Sequence, residues 1–543
     1  MSSIQSYISS QLNHEQTQAA LYTDTSSLII AGAGSGKTRV LTYKIAHLIY
    51  DKHISPYQIL AVTFTNKAAG EMKDRLISIS QNLSSPDSTQ IQNNQFKWIG
   101  TFHSIFLKIL KEEIDWLETK LNHNFGIYDE WETATLLKQI LKDLHLVDKI
   151  EYKEVKSAIS KIKNNGILPS RYRHLAQDNR DEMIAKIYEK YQSVLQQANS
   201  MDFDDLLLYP YILFSTKADI LVKWQQQFKY ILVDEAQDTN YIQFELMKML
   251  SGQNGNITFI GDDFQSIYRW RGALMENFLN LHTIRPDIKM FKLQTNYRSK
   301  PHIISAGNHI IANNTRQYRK DIIAHRDWQE KVILVWHENE SQEAENIVNL
   351  IKSLKNKKKW KWSDHTILYR TNAQSQPFEQ IFVQQGIPYK IHGGYKFFDR
   401  KEIKDIVAYL KYILNPDDTI SLKRIINTPS RKIGATTIAK LEEYAFNHEI
   451  SLHQVIMSVA TLPLGLWTAA VKSLKDFAIL IKSLQSQLDQ LNPMMIIKRI
   501  VNDTRYEQYL VQTEWKNDAE EKIQNIWQLI NMASKYQINM SQS

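Results

Sequence analysis

The chain has 543 residues, 43% of them hydrophobic and 23% charged, which is too long for one core and ordinary for a globular protein. Its 66 Lys and Arg exceed its 58 Asp and Glu, and the net charge of +8 admits a polyanionic partner without requiring one. It has no cysteine, no apolar run near the roughly 20 residues of a membrane span, and no signal-like N-terminus, so disulfides, thiolate metal sites and a membrane partner are excluded and a cytoplasmic setting is expected.

The first apolar run, Ser27-Leu28-Ile29-Ile30, reads as a buried strand. It leads into Ala31-Gly32-Ala33-Gly34-Ser35-Gly36-Lys37-Thr38 and then into helix-compatible sequence. Small residues between a strand and a helix N-terminus let backbone N–H groups turn around phosphate oxygens. Lys37 then reaches the terminal phosphates of a nucleotide, and the Thr38 hydroxyl is a Mg²⁺ ligand. The strict pattern has Gly where this chain has Ala31.

Ile59-Leu60-Ala61-Val62-Thr63-Phe64 is the next strand, followed by Thr65-Asn66-Lys67, which offers hydrogen-bond donors to a backbone phosphate. Phe64 by itself suits a core. Residues 105–200 have helical periodicity and read as an insertion between strands of one parallel sheet. Tyr230-Ile231-Leu232-Val233 is a strand ending in Asp234-Glu235. Beyond a phosphate loop, Asp234 would hold Mg²⁺ and Glu235 would polarise the attacking water; such a pair also suits the N-terminus of a helix. Ile257–Ile260 is a further strand. The segment after it, Gly261 to Ala273, carries Gln265 as a possible γ-phosphate sensor and Trp270 between Arg269 and Arg271, a combination suited to base stacking beside phosphates. A second α/β section is expected from Phe291, with strands at Val332–Trp336 and Thr366–Tyr369. A basic stretch, Leu354 to Trp362, reads as a solvated loop or a nucleic-acid contact, and helix follows from about 400.

In this order the motifs closely resemble the UvrD/Rep/PcrA family of superfamily 1 DNA helicases, almost continuously from Leu12 to about Gly434. Leu12-Asn13 with Gln16 resembles the Q motif, and the loop through Lys37-Thr38-Arg39 resembles motif I, including Ala31. Ala61 to Ala69 resembles motif Ia, Gly100-Thr101-Phe102-His103-Ser104 motif Ib, and Asp234-Glu235 motif II. Gln265 matches motif III, and Gln294-Thr295-Asn296-Tyr297-Arg298-Ser299 motif IV. The resemblance implies ATP and Mg²⁺ as cofactors, adenine contacts from Gln16 and Tyr297, and a γ-phosphate contact from Arg298. It implies Lys37, Glu235, Gln265 and Arg298 as the catalytic set and Thr38 and Asp234 as metal ligands. Single-stranded DNA and single-strand/duplex junctions are the implied partners, met by Phe64, Thr65, Asn66, Thr101, His103, Phe203, Tyr268, Trp270 and Arg271. His103 has no companions at metal-ligand spacing and reads as a hydrogen-bonded residue near DNA.

Gly393-Gly394 and Phe397 to Asp405 also follow the family, and Thr428-Pro429-Ser430-Arg431-Lys432-Ile433-Gly434 resembles its duplex-contacting Pro-Arg-Gly-Ile-Gly turn, with Lys432 in place of the first Gly. The implied fold is α/β: RecA-like motor lobes made of parallel sheets flanked by helices. The first lobe covers 1–104 and 201–290 with a helical insertion at 105–200; the second begins at 291–397 and has its own insertion at 398–543. Within 435–543 nothing resembles motif V or the arginine finger of motif VI. The expectations are therefore an incomplete second lobe and a truncated helicase, with two alternatives: a catalytically impaired ATP- and single-strand-binding protein, or one subunit of a split helicase completed by another chain. The implied activity is 3′-to-5′ translocation on DNA driven by ATP hydrolysis.

Overall fold

The apolar runs at 28, 59, 230 and 257 do become strands, and every one is buried because the sheet they form is covered on both faces. A computed structural model of the chain describes residues 3–83, 95–253, 255–269, 272–327, 331–391, 400–488, 490–514 and 516–540. Two compact units divide it, Met1–Lys331 and Val332–Ser543.

The strands in the first unit are β1 (Ser27–Ala31), β2 (Ile59–Thr63), β3 (Ile99–Thr101), β4 (Gly126–Ile127), β5 (Ser200–Met201), β6 (Tyr230–Val233), β7 (Asn256–Gly261), β8 (Lys289–Leu293), β9 (Thr295–Asn296) and β10 (Ile323–Ala324). Six of them make one sheet in the order β3-β2-β6-β7-β1-β8. All its pairings are parallel, for example Ser27 opposite Thr258 and Lys289, and Ile59 opposite Tyr230. Parallel strands put all carboxyl ends on one edge, where ligands bind in sheets of this kind. That edge receives the loop after Ala31, Asp234 after β6, and Asp262 after β7.

Strand periodicity divides the core. Leu28, Ile30, Leu60, Val62, Ile231, Val233 and Phe259 pack on one face with Phe102, Phe106, Leu207 and Trp224. Ile29, Ala31, Ile59, Ala61, Leu232 and Ile260 pack on the other with Val40, Leu41, Ile45, Met72 and Leu76. Between β3 and β6 runs a helix-rich segment that includes helices Glu130–Asp143, Tyr152–Asn164 and Asn179–Gln197, with β4 and β5 paired in parallel inside it.

Phe291, expected to open a second α/β section, lies in β8, the outer strand beside β1, and residues 291–331 belong to the first unit. The second unit contains no strand among its described residues. Val332–Trp336 and Thr366–Tyr369, expected as strands, are irregular and largely exposed, with Trp336 87% and Leu368 90% accessible. Their composition suits a strand, but a strand needs a paired neighbour, and none is present among the described residues. Helices make up the rest, from Lys401–Leu414 through Thr468–Gln485 and Pro493–Asp503, around Tyr409, Tyr412, Leu441, Phe477, Ile481 and Ile500. The basic stretch at 354 is the last turn of helix Glu340–Lys358, where cations favour the helix dipole; Lys355 lies over Trp362 and Lys358 over Trp360. No described helix in the chain is long and apolar enough to cross a membrane.

Candidate active site

The loop after β1 is shaped by what presses on it. Gly34 has φ +65°, a left-handed conformation that glycine adopts freely. A Cβ on Gly32 would lie 2.1 Å from Ile322 Cδ1, so any larger residue there would require the Ile322 side chain to move. The Gly32 N–H donates to the Leu293 carbonyl at 2.9 Å, and the Ser35 hydroxyl to the Gly32 carbonyl at 2.8 Å. Asn296 donates to the exposed Ala33 at its carbonyl, and the Tyr297 N–H donates to the Gly34 carbonyl at 3.0 Å. Gly36 ends the loop as the N-cap of helix Lys37–Tyr50.

Lys37 Nζ donates to Glu235 Oε2 at 2.7 Å, so the loop lysine and the second carboxylate after β6 already touch. Glu235 is itself in the left-handed region at φ +51°, which turns its side chain out of the strand direction. Gln237 Nε2 donates to the same Oε2 at 2.9 Å. Asp234 is buried, and burial together with the neighbouring Glu235 charge pushes its carboxyl up to about 7. Asp238 is raised to about 6 for the same two reasons. A partly buried edge with crowded carboxylates and a hydroxyl at Thr38 is a hard-oxygen donor set, which fits Mg²⁺ shared with phosphates and water.

After β7, Gln265 Nε2 donates to Asp262 Oδ2 at 2.6 Å, and the Asp262 N–H donates to Gln237 Oε1 at 2.9 Å. Gln265 is thereby tied to the carboxylate edge through one glutamine. Tyr297 and Arg298 follow β9 directly. Arg298 runs past the loop, its Cβ 2.8 Å from where a Gly34 Cβ would stand.

Gln16, Arg39 and Tyr297 line one cavity of about 740 Å³ together with Gln11, Asn13 and Tyr43. Gln16 is the third residue of helix His14–Leu21 and closes a capping box with Asn13. Its Nε2 also reaches the Ser35 carbonyl at 2.8 Å, while Asn13 Nδ2 donates to the Tyr297 hydroxyl at 2.7 Å. Arg39 Nη2 donates to the Gln11 carbonyl at 2.8 Å and sits 5.8 Å from the Tyr43 ring centre.

The candidate DNA residues form two aromatic pairs. Phe64 and Tyr268 stack at 5.3 Å and 24°. His103 and Phe203 meet at 5.4 Å, and Phe203 is 56% exposed. Burial lowers His103 to about 4, so its ring is neutral near neutral pH. Thr65 and Asn66 are exposed where helix Asn66–Leu83 begins, and the Thr65 hydroxyl accepts from the Ala68 N–H at 3.1 Å. The Thr101 hydroxyl accepts from the Ser104 N–H as a helix cap. Trp270 and Arg271 lie outside the described residues, as do Gly393, Gly394 and Phe397–Asp399.

A buried cluster beneath Phe203 escaped the reading of motifs. Lys163 Nζ donates to Asp202 Oδ2 at 2.8 Å and to Asp205 Oδ1 at 2.7 Å. Tyr191 donates its hydroxyl to Asp202, and Asn164 Nδ2 donates to Asp204 Oδ1 at 2.8 Å. Asn240 Nδ2 in turn donates to Asn164 Oδ1 at 2.6 Å, linking the Phe203 loop to the segment that follows Asp234 and Glu235. Lys163 stands four residues after Ile159 and eight after Val155, so helical spacing places it on the apolar face, a lysine at a core position that the motifs did not mark. In the second unit, Lys432 is exposed at φ +59°, while Arg431 turns inward to the Tyr409 hydroxyl and the Ile425 carbonyl.

Comparison with known proteins gives two family matches: the UvrD/REP helicase N-terminal domain over residues 12–285 and the UvrD-like helicase C-terminal domain over 291–543. The ATP-dependent DNA helicase PcrA of Bacillus subtilis is 38% identical over 536 residues, 98% of this chain and 70% of that protein. The ATP-dependent DNA helicase Rep of Buchnera aphidicola subsp. Acyrthosiphon pisum is 40% identical over 504 residues, 92% of this chain and 75% of that protein. PcrA of Staphylococcus aureus strain Mu50 is 36% identical over 530 residues, covering 97% and 70%. The C-terminal domain matches over residues 291–543, so the expectation of a truncated helicase is not borne out, and a split helicase completed by another chain is not supported.

Proposed function

This chain belongs to the UvrD/Rep helicase family, and from that premise we propose that it is an ATP-dependent DNA helicase, moving 3′-to-5′ on single-stranded DNA and opening duplex at a junction. The observation that supports this most directly is the shared carboxyl edge: the phosphate loop, Asp234-Glu235 and Gln265 stand on one hydrogen-bonded line, next to the cavity lined by Gln16, Arg39 and Tyr297.

In this reading adenine stacks on Tyr297 in that cavity, and the phosphates enter the loop from Gly32 to Thr38. Their charge draws Lys37 away from Glu235, which frees Glu235 to take a proton from the attacking water. Thr38 and Asp234 would hold Mg²⁺, which would supply neutralisation of the developing phosphate charge. Gln265 and Arg298 contact the γ-phosphate, so its release is felt both after β7 and after β9. DNA bases stack on the Phe64–Tyr268 pair and on Phe203, with Thr65, Asn66, Thr101 and neutral His103 beside the backbone, and Trp270 and Arg271 continuing the track. The setting is the cytoplasm.

The test compares ATP hydrolysis by the full chain and by Lys37→Ala, with and without single-stranded DNA, and unwinding of duplexes carrying a 3′ or a 5′ tail. Hydrolysis is expected to rise with DNA and to fall about 10²–10³-fold in the variant, with unwinding from the 3′ tail alone. Equal hydrolysis by both proteins rejects the assigned site.

A further inference from the structure

Lys320 is fully buried, and its ammonium is saturated. One donor goes to Asp262 Oδ1 at 2.5 Å, one to Asp263 Oδ1, and one to the Ala31 carbonyl at 3.2 Å. The ammonium also lies 3.9 Å from the Phe264 ring centre. Ala31 ends β1 and starts the phosphate loop; Asp262 holds Gln265. A single cation therefore spans the two loops that flank the expected γ-phosphate position.

Its neighbours strengthen the span. The Tyr318 N–H donates to Asp263 Oδ2 at 2.7 Å, and Ile322 covers Gly32. Without the ammonium, Asp262 and Asp263 would repel each other, and Asp262 carries Gln265 on its other oxygen. A buried ion cluster of this kind is no more stabilising than apolar residues of the same size, so stability alone does not account for it.

We propose that Lys320 is a positioning residue that fixes the distance between Gln265 and the phosphate loop, and so sets how well the protein distinguishes a nucleoside triphosphate from a diphosphate. The proposal rests on the helicase reading of the site and deepens it.

The test measures binding of a fluorescent non-hydrolysable ATP analogue and of the matching ADP to the full chain. The variants are Lys320→Arg, which keeps the charge but not the shape, and Lys320→Met combined with Asp263→Asn, which removes the ammonium without leaving two carboxylates to repel each other. Triphosphate affinity is expected to fall about tenfold, the size of one charge-assisted hydrogen bond, while ADP affinity stays within about threefold. Gln265→Ala should produce the same loss, and adding it to either Lys320 variant should add little. Unchanged triphosphate affinity in a variant that melts cooperatively overturns the proposal. So do equal losses for both nucleotides, additive losses with Gln265→Ala, or failure of both variants to fold, which would make Lys320 purely structural. Where only one variant folds, that one decides. Absence of DNA-stimulated hydrolysis by the unaltered chain would instead reject the helicase reading and leave the binding comparison standing.

Discussion

Lys163 and Lys320 are both wholly buried, and each is claimed by two aspartates, yet the clusters hold their loops differently. Asp202 and Asp205 are three residues apart and already bond each other's backbone: Asp205 N–H to Asp202 Oδ1 at 2.9 Å and Asp202 N–H to Asp205 Oδ2 at 3.1 Å. That loop is self-organised, and Lys163 balances its charge. Asp262 and Asp263 are consecutive and have no such reciprocal lock, so they converge because Lys320 takes both. Removing Lys163 should therefore act on stability, and removing Lys320 on geometry as well as stability. The carboxyls share the ammonium unequally. For Asp202 burial pushes upward, but the Lys163 ammonium and the hydrogen bonds it receives outweigh this and hold it below its ordinary value. Asp205, which also takes the ammonium, is nevertheless raised to about 7 by burial and the Asp202 charge, and Asp204, two residues after Asp202, is raised to about 6 for the same two reasons.

The largest effect that would break this contrast is in Lys163→Met. Stranding two buried carboxylates should cost about 3–5 kcal/mol in urea unfolding, with much of it regained on adding Asp205→Asn; a loss under about 1 kcal/mol would mean that Lys163 does not balance the cluster. Next is Glu235→Gln, which keeps a hydrogen-bonding partner near Lys37 but no base: turnover should drop about 10²–10⁴-fold with nucleotide affinity nearly kept, read in single-turnover hydrolysis. Phe203→Ala sharpens the DNA side. It should weaken single-strand binding by about 1–3 kcal/mol in a fluorescence titration and leave ADP binding alone, since the Lys163 cluster holds the loop without the ring.

The smallest effect concerns pH. Asp234 has a folded value near 7 against an ordinary 3.8. Between those values the folded state holds a proton that the unfolded chain has released, so stability falls as pH rises through this window. Asp234→Asn removes the penalty. Without Mg²⁺ its melting temperature should exceed that of the unaltered chain at pH 8 by roughly 2–4 °C per kcal/mol relieved, and the gap should close by pH 4.

Much of this was legible in the residues because it is local. The strands at 28, 59, 230 and 257 announce themselves as short, unbroken apolar runs, and the loop from Ala31 to Thr38 as small residues in sequence. What failed was non-local. Val332–Trp336 has the composition of a strand, but composition cannot supply a neighbour to pair with. Phe291 is where the C-terminal family match begins, yet in space its strand lies in the first sheet beside β1, a pairing that only the fold shows. Lys320 sits in Arg319-Lys320-Asp321, a triplet that reads as solvated, and only the fold brings it under Ala31 and Asp262. Gln237 and Asn164 were invisible for the same reason, being links between segments far apart in the chain.

The turn at Lys432 has a separate consequence. A residue with a Cβ in left-handed backbone costs roughly 1–2 kcal/mol more than glycine there, and Arg431 is turned inward, away from solvent. The chain has accepted that conformational tension and gained an outward ammonium in its place. If the turn meets a double helix, its hold should release one more counterion than a glycine turn would, and so weaken more steeply as salt is raised.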